Sequence, residues 1–397
     1  GLSDRDAIEM SIPVVEEMAG QVDGGPDAAV WGTVAPNLNY SNIGREIWID
    51  SRLDPHVPSI STQMACATSM AAVFDGTGLL TGNQQVALCG GVEAMSNVQI
   101  GLKQGLSNWL RRIAQSKSPA AAAEKLLDLS LGEIGLYIPS VENRATGKSM
   151  GEHCEEMVDE WEIRRQEQDR LALESHEKAV AGWETGFFDE LVLEVDGVSR
   201  DDFPRPDTSL EQLGKLSPAF RDDGSITAGS SSPLTDGAAG VWLSTEEGLD
   251  RFGDDHRRVE LVDWETAAVD IFEEGLLMAP AYAIPRLLDR HDLGYAEIDL
   301  WEIHEAFAAQ VACHIRALES ESFLKERVGL DHDFGDFPTG RVNPNGGSVA
   351  LGHPFGATGA RILSQAVAEL ADRPAGSRAI VSICANSGLG GVALLQN

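Results

Sequence analysis

The chain is poor in positive charge. Thirty basic residues stand against 63 acidic ones, only seven of the basic residues are lysines, and the formal net charge is −33. Nucleic acid is excluded as an expected partner, because a polyanion needs a basic footprint. The acidity has two readings, a solvated surface that keeps the protein soluble or adaptation to a salty cytoplasm whose counter-ions screen self-repulsion. Cysteine is scarce as well. Cys66, Cys89, Cys154, Cys313 and Cys384 are widely spaced, odd in number and form no CxxC pair, which speaks against a disulfide framework and a structural zinc site. No apolar run approaches the ~18 residues of a membrane helix, and no basic region followed by an apolar core opens the chain. A membrane span and a signal peptide are both unexpected, and a cytoplasmic location is the default.

What is present is enough for large cores: 397 residues, 43% of them apolar, can build two or three domains. The most organised stretch is the glycine-rich run from Asn343 to Arg361, in which His353 sits between Gly352 and Pro354. Glycine lets backbone approach a ligand closely and proline fixes the place of the imidazole. The run passes into Ala360-Arg361-Ile362-Leu363, whose apolar spacing starts a helix, so it reads as a site and not as a linker.

A second candidate lies near the start. Residues 1–20 carry helical apolar spacing, Ala28 to Val34 reads as a buried strand, and a β-branched run from Val57 passes into a small-residue helix with Cys66 at the junction. A thiol at a helix N-terminus feels the positive end of the dipole and unpaired amides, which lower its pKa and supply oxyanion donors. Small neighbours, Ala65, Ala67 and Ser69, leave room for a substrate. Cys66 is therefore the candidate nucleophile. Cys89 lies inside the apolar strand Val86 to Ser96 and reads as structural.

Between about 103 and 225 the character changes to charged amphipathic helices, Trp109 to Gln115, Ala120 to Leu131 and Glu152 to Glu184, with no strong strand run. This reads as an insertion. Trp109-Leu110-Arg111-Arg112-Ile113 could touch a membrane surface or a partner, against the plainer reading of a surface helix. The hydroxyl-rich turn from Asp223 to Ala239 offers N–H and O–H donors to polar or phosphate groups. A second half starts near 246 and repeats the α/β alternation, with strands at Val259 to Val262, Leu300 to Ile303, Ala379 to Ile383 and Gly391 to Leu395. His304 and Glu305 fall where a strand gives way to a helix, and Cys384 falls at a strand end. Ligands in α/β folds bind at such ends.

Taken together, Met64-Ala65-Cys66-Ala67-Thr68-Ser69, Gly90-Gly91-Val92-Glu93-Ala94-Met95-Ser96, Ser149-Met150-Gly151 with the helix from Gln166 to His176, Thr227 to Ser232, His304-Glu305-Ala306-Phe307, Gly352-His353-Pro354 and Cys384 to Gly390 resemble the thiolases, in the family's order, from about residue 26 to the C-terminus. The resemblance implies an α/β fold of two similar βαβαβαββ halves in a layered αβαβα arrangement with an inserted loop domain. Its boundaries are expected at 1–102 plus 226–245 for the N-terminal half, 103–225 for the domain covering coenzyme A, and 246–397 for the C-terminal half.

The resemblance also implies roles. Cys66 is expected as the nucleophile that becomes acylated, His353 as the group that activates it, Cys384 as the acid/base at the acetyl α-carbon, and His304 as a partner of His353 in the oxyanion site. Backbone amides of Cys66 and Asn386 are expected as further oxyanion donors, and Ser232, Met150, Met278, Ala306 and Phe307 as contacts of coenzyme A. Arg144, Lys148, Arg205 and Arg221 flank the loop motifs as phosphate candidates. Coenzyme A is a substrate here, and neither metal nor cofactor is expected. The implied reaction is thiolytic cleavage of a 3-oxoacyl-CoA; the alternatives are biosynthetic condensation of two acetyl-CoA and a non-catalytic lipid-carrier relative. A condensing enzyme of fatty-acid synthesis would have histidine or asparagine in place of Cys384.

His304 and the long 103–150 segment resemble the β subunits of fatty-acid oxidation complexes, which implies contact with a membrane or with an α subunit carrying hydratase and dehydrogenase activities. A homodimer or dimer of dimers is expected. Two departures stand out: Asn386 replaces a family glycine and must accept the local backbone, and no opening strand with an Arg-Thr-Pro-like stretch precedes the first helix, so a missing N-terminal segment is expected.

Overall fold

The computed structural model describes residues 1–128, 130–253 and 256–397. Helix α1 (Ala7–Ala19) starts on a capping box in which Asp6 and Glu9 satisfy each other's backbone amides. It is followed by β1 (Ala28–Gly32), α2 (Ile43–Asp50), β2 (Ser59–Ile60), α3 (Thr68–Leu79) and β3 (Val86–Glu93). The inserted stretch carries β4 (Gly101–Leu102), α4 (Gln104–Ala114), α5 (Pro119–Glu124), β5 (Leu136–Tyr137), α6 (Met150–Glu160), α7 (Arg165–Glu184) and α8 (Leu210–Leu213). The chain then forms β6 (Gly237–Ser244), β7 (Glu260–Ala268), α9 (Ala279–Arg290), β8 (Leu300–Ile303), α10 (Ala308–Leu318), α11 (Ser348–Leu351), α12 (Phe355–Ala371), β9 (Arg378–Ala385) and β10 (Leu389–Gln396).

Two expectations are corrected in the insertion. The helix expected from Glu152 to Glu184 is two helices, because Glu162 adopts a left-handed φ of 52° that an α-helix does not accommodate. The helix expected from Ala120 to Leu131 ends at Glu124 and gives way to a 3₁₀ turn over Lys125–Asp128; position 129 of that stretch lies outside the described residues, as do 254 and 255 of the expected second half.

Two four-stranded sheets form the frame, in the orders β2-β1-β3-β6 and β7-β10-β9-β8. In the first, β1 runs parallel to β2 and β3 while β6 is antiparallel to β3; in the second, β8 and β9 are parallel and β10 is antiparallel to both β9 and β7. The strands β6, β3 and β1 thus correspond to β10, β9 and β8. Between the sheets lie α3 and α12, whose Met70, Val73, Ile362, Leu363 and Leu370 share one core with Val30 and Ala87 of the first sheet and Val381, Ile383 and Ala393 of the second. The outer face of the first sheet is covered by α1 and α2 through Met10, Val15, Ile47 and Trp48. That of the second packs on α9 and α10 through Ile284, Leu287, Val311 and Ala317. The result is the layered αβαβα arrangement.

The buried helix pair decides where the site forms. Gly359 permits the close crossing of α12 and α3: a Cβ there would lie 2.4 Å from the Met70 amide nitrogen, closer than any side chain tolerates. Ser69 Oγ near the start of α3 also accepts from the Ala360 amide of α12 at 2.8 Å. The N-terminal ends of the two helices are thereby locked side by side, which brings the stretches carrying Cys66 and His353 to one end of the sandwich.

Candidate active site

Cys66 lies just before α3, preceded by Ala65 in a left-handed conformation, φ 46°. A non-glycine residue there is strained, and the turn is held by Thr68 Oγ1, which donates to the Ala65 carbonyl at 2.7 Å and accepts from the Met64 amide at 2.9 Å. The Asn386 backbone N–H donates to the Cys66 sulfur, and the amide of Cys66 itself also favours the thiolate. Both expected backbone donors therefore converge on one sulfur. Burial nevertheless dominates and pushes the Cys66 thiol up to about 12, so the expected lowering is corrected. The physical reason is twofold: Thr68, not Cys66, is the first helical residue, and enclosing a thiolate in protein costs more than two amides return.

Cys384 stands near the end of β9, 2% exposed, and its thiol is raised by burial and by its proximity to the negative charge that Cys66 would carry. The following turn takes its left-handed residue at Ser387, φ 69°, with Gly388 behind it, so Asn386 escapes the strain that replacement of a glycine raised as a concern. Its side-chain Oδ1 instead accepts from Nδ2 of Asn143 at 2.8 Å, a contact from the insertion to the second cysteine's loop.

His304 and His353 face each other with ring centroids 4.3 Å apart, both at most 2% exposed. In each ring Nδ1 is held, to Ser348 Oγ at 3.1 Å for His304 and to Thr358 Oγ1 at 2.7 Å for His353, and in each ring Nε2 is buried with no partner among the described residues. Burial lowers both imidazoles, His353 to about 3, with the nearby Arg361 charge acting in the same direction. Both rings are neutral at physiological pH.

The loops behind these rings are fixed by buried carboxylates. Glu305 accepts from Ser175 Oγ at 2.7 Å, Asn343 Nδ2 at 2.7 Å and the Val349 amide at 3.1 Å, which joins the loop after β8 to the glycine-rich run. Glu93, at the end of β3, accepts from Thr33 Oγ1, the amides of Val34 and Ala35, and the Gly356 amide at the start of α12, all within 3.1 Å.

A cleft of about 320 Å³ approaches from the insertion, lined among others by His176, Phe203, Arg205, Leu216, Ser231, Pro233 and Val349. One lining residue is tied to the histidine loop, since the Pro233 carbonyl accepts from the His353 amide at 2.9 Å. The expected coenzyme A contacts divide. The Ser232 amide donates to the Ala306 carbonyl at 3.0 Å and Ser231 bridges Phe307, so these three meet beside the cleft. Phe307 packs edge-on against Phe220, and Met150 is partly buried against the second sheet's core. Met278 is fully buried, and a Cβ on Gly275 would meet both its side chain and that of Met157. Of the four phosphate candidates, Arg205 alone lines the cleft, whereas Lys148 pairs with Glu156 and Arg221 with Asp159 and Asp223.

Several site-building residues were not singled out from sequence: Ser348, Thr358, Arg361, Asn343, Asn143 and Glu93. Four lie inside the glycine-rich run, five to ten positions from His353, where their polarity within that run was the available signal. Asn143 carried none.

Two thiols, two neutral imidazoles and converging amides are the equipment of acyl transfer through a cysteine thioester. Comparison with known proteins agrees. Residues 18–247 match the description "Thiolase, N-terminal domain" and residues 256–397 match "Thiolase, C-terminal domain". The chain belongs to the thiolase family and is an acyltransferase. It is 34% identical to the 3-ketoacyl-CoA thiolase of Yersinia enterocolitica over a 406-residue alignment covering 98% of this chain and 91% of that protein. It is also 34% identical to that of Yersinia pestis, with 93% and 86% covered. Among solved structures it is similar to the acetyl-CoA acetyltransferase of Bacillus anthracis (TM-score 0.78, 30% identity, 100% and 94% covered) and to a thiolase of Ascaris suum in complex with coenzyme A (TM-score 0.77, 26% identity, 100% and 95% covered). No described helix is long and apolar enough to cross a membrane.

Proposed function

We propose that the chain cleaves 3-oxoacyl-CoA with coenzyme A to give acetyl-CoA and a shortened acyl-CoA, in a ping-pong cycle through an acyl-Cys66 intermediate. The observation that carries this reading is the meeting of Cys66 with the Asn386 amide and the Cys384 thiol. His353 Nε2 takes the Cys66 proton as the sulfur attacks, so that no standing ion pair is required; this suits a thiol whose burial disfavours a standing thiolate. The thiolate attacks the C3 ketone, whose oxygen is received by donors at the site. The C2–C3 bond then breaks, its electrons pass to C2 as the enolate of acetyl-CoA, and the Cys384 thiol protonates C2. The Cys384 thiolate left behind removes the proton from an incoming CoA thiol, which attacks the acyl group and restores Cys66.

The cleft lined by Arg205, Ser231 and Pro233 supports binding of coenzyme A as substrate along the 103–225 segment, with residues 1–102 plus 226–245 and 246–397 as the two catalytic halves. The side chains supply all proton transfers, and the reading includes no resident cofactor. His304 within His-Glu-Ala-Phe and relatives described as 3-ketoacyl-CoA thiolases favour the degradative direction, as in fatty-acid β-oxidation, in a cytoplasmic homodimer or dimer of dimers, with an α subunit as a further partner. The second reading, condensation of two acetyl-CoA, is favoured by the similarity to an acetyl-CoA acetyltransferase and runs the same steps backwards.

The test is a CoA-dependent cleavage assay over 3-oxoacyl-CoA chain lengths with Cys66→Ser and Cys384→Ser. Both variants should lose at least about three orders of magnitude in kcat/KM, a range typical of losing a covalent or acid–base group, and only Cys384→Ser should still acquire an acyl group by mass spectrometry. A Cys66 variant as active as the parent ends the mechanism.

A further inference from the structure

The two histidines are asked for opposite things. In the cycle above, Nε2 of His353 must accept a proton, whereas His304, placed in the oxyanion site by the thiolase resemblance, must donate a hydrogen bond from Nε2 to a substrate oxygen. Imidazole does either, and the partner of Nδ1 decides which. For His304 that partner is Ser348 Oγ at 3.1 Å, and Ser348 Oγ in turn accepts from a guanidinium nitrogen of Arg361 at 2.7 Å. We propose that Ser348, oriented by Arg361, is a positioning residue that locks His304 as its Nε2–H tautomer, making that ring a standing hydrogen-bond donor toward the substrate oxygen.

The argument is one of proton accounting. Arginine has no acceptor atom, so the Arg361–Ser348 bond must use an oxygen lone pair of the serine. The hydroxyl proton then needs an acceptor, and among the described residues no polar side-chain atom other than His304 Nδ1 and the Arg361 nitrogen is bonded to Ser348 Oγ. Ser348 and His304 are both at most 1% exposed, so water is no ready substitute. The alternative, in which His304 Nδ1–H donates to the serine, would leave the hydroxyl proton unpaired in the interior, which folded proteins avoid. It would also leave a bare lone pair on Nε2 where an oxyanion must be received.

His353 lacks this lock. Its Nδ1 meets Thr358 Oγ1, which bonds to no cation among the described residues, so no charge fixes the direction of that bond and the hydroxyl can turn to give or to receive the proton. One ring is therefore held as a donor and its neighbour, 4.3 Å away, is left able to act as a base. Arg361 itself is steadied on α12 by Gln365 and faces the buried Glu302 of β8.

The kinetic arm of the test rests on the proposed thiolase activity; the spectroscopic arm does not. Long-range ¹H–¹⁵N spectra of the ¹⁵N-histidine-labelled parent, with His304 assigned through His304→Asn, should show His304 as the Nε2–H tautomer. An Nδ1–H tautomer overturns the proposal. In thiolysis, Ser348→Ala should lower kcat about ten-fold, as loss of one oriented hydrogen bond does, with KM changed less than about two-fold, and Ser348→Thr should restore most of it. Asparagine presents its donor without any tautomer to set, so in the His304→Asn background the same Ser348→Ala change should cost less than about two-fold. An equal loss in both backgrounds shows a merely structural serine and overturns the proposal. Should the parent prove inactive in thiolysis, the spectrum alone decides.

Discussion

Glu93 ties the loop after β1 to the start of the helix that follows His353, and Glu93→Gln isolates its contribution. The carboxylate is fully buried, and each oxygen receives two donors: Thr33 Oγ1 and the Ala35 amide on one, the Val34 and Gly356 amides on the other. Glutamine preserves the shape but carries a single acceptor oxygen. Whichever way its amide turns, an NH₂ group faces two groups that donate to the carboxylate, of which only the Thr33 hydroxyl can reverse to accept, so one or two bonds are lost. Hydrogen bonds to a charged group contribute about 1.5–3 kcal/mol each, so losing one or two costs about 1.5–6 kcal/mol. Burial raises the pKa of this carboxyl, so removing its charge recovers part of that, and the net expectation is a destabilisation of about 1–4 kcal/mol. A second effect has the opposite sign for reactivity. The Glu93 charge is one cause of the raised Cys66 pKa, so the variant's Cys66 should be alkylated by iodoacetamide at lower pH than the parent's. Urea unfolding read by tryptophan fluorescence gives the first number and the pH profile of alkylation the second. A variant within about 0.5 kcal/mol of the parent, with an unmoved alkylation profile, refutes the assignment of Glu93 as the tie between the loop after β1 and the start of α12.

Two further outcomes follow from groups around the site. Glu302 is buried beside Arg361, Glu305, Glu369 and Lys178, and burial pushes its carboxyl up to about 8 from 4.5. Because the folded state then binds more protons than the unfolded state between those values, its contribution to stability is complete below pH 4.5 and is lost as pH rises toward 8. Glu302→Gln should therefore melt close to the parent at pH 4.5 and above it at pH 8; a difference that does not grow with pH refutes the shift. Arg205 lines the cleft and makes no ion pair among the described residues. With coenzyme A as the anionic occupant, Arg205→Ala should raise the KM for CoA about ten-fold, or about 1.4 kcal/mol, with kcat nearly unchanged, and an unchanged KM removes it from the binding site.

The limits of reading this fold and site from sequence have specific physical causes. Strands such as Val86–Glu93 and Arg378–Ala385 were legible because they are buried on both faces and so are mostly apolar. The insertion was less so: α4 buries none of its residues, and the break at Glu162 depends on one backbone angle that side-chain pattern does not encode. Cys66 could be nominated from its helix-start position, His353 from its glycine-rich run, and Cys384 and His304 from strand ends, while their roles came from the resemblance to the thiolases. Their environment could not be. Whether a thiol near a helix start is lowered or raised is a contest between a few oriented amides and the surrounding low-dielectric mass, and the second quantity exists only once α3 and α12 have been pressed between two sheets. The same holds for the residues that tune the imidazoles. Ser348 and Arg361 are thirteen positions apart and unremarkable as letters, yet with His304 brought in from β8 they form one chain of hydrogen bonds whose direction is fixed at its cationic end. The chemistry resides in side chains that sequence can nominate, while the protonation states that make it work are properties of the assembled interior.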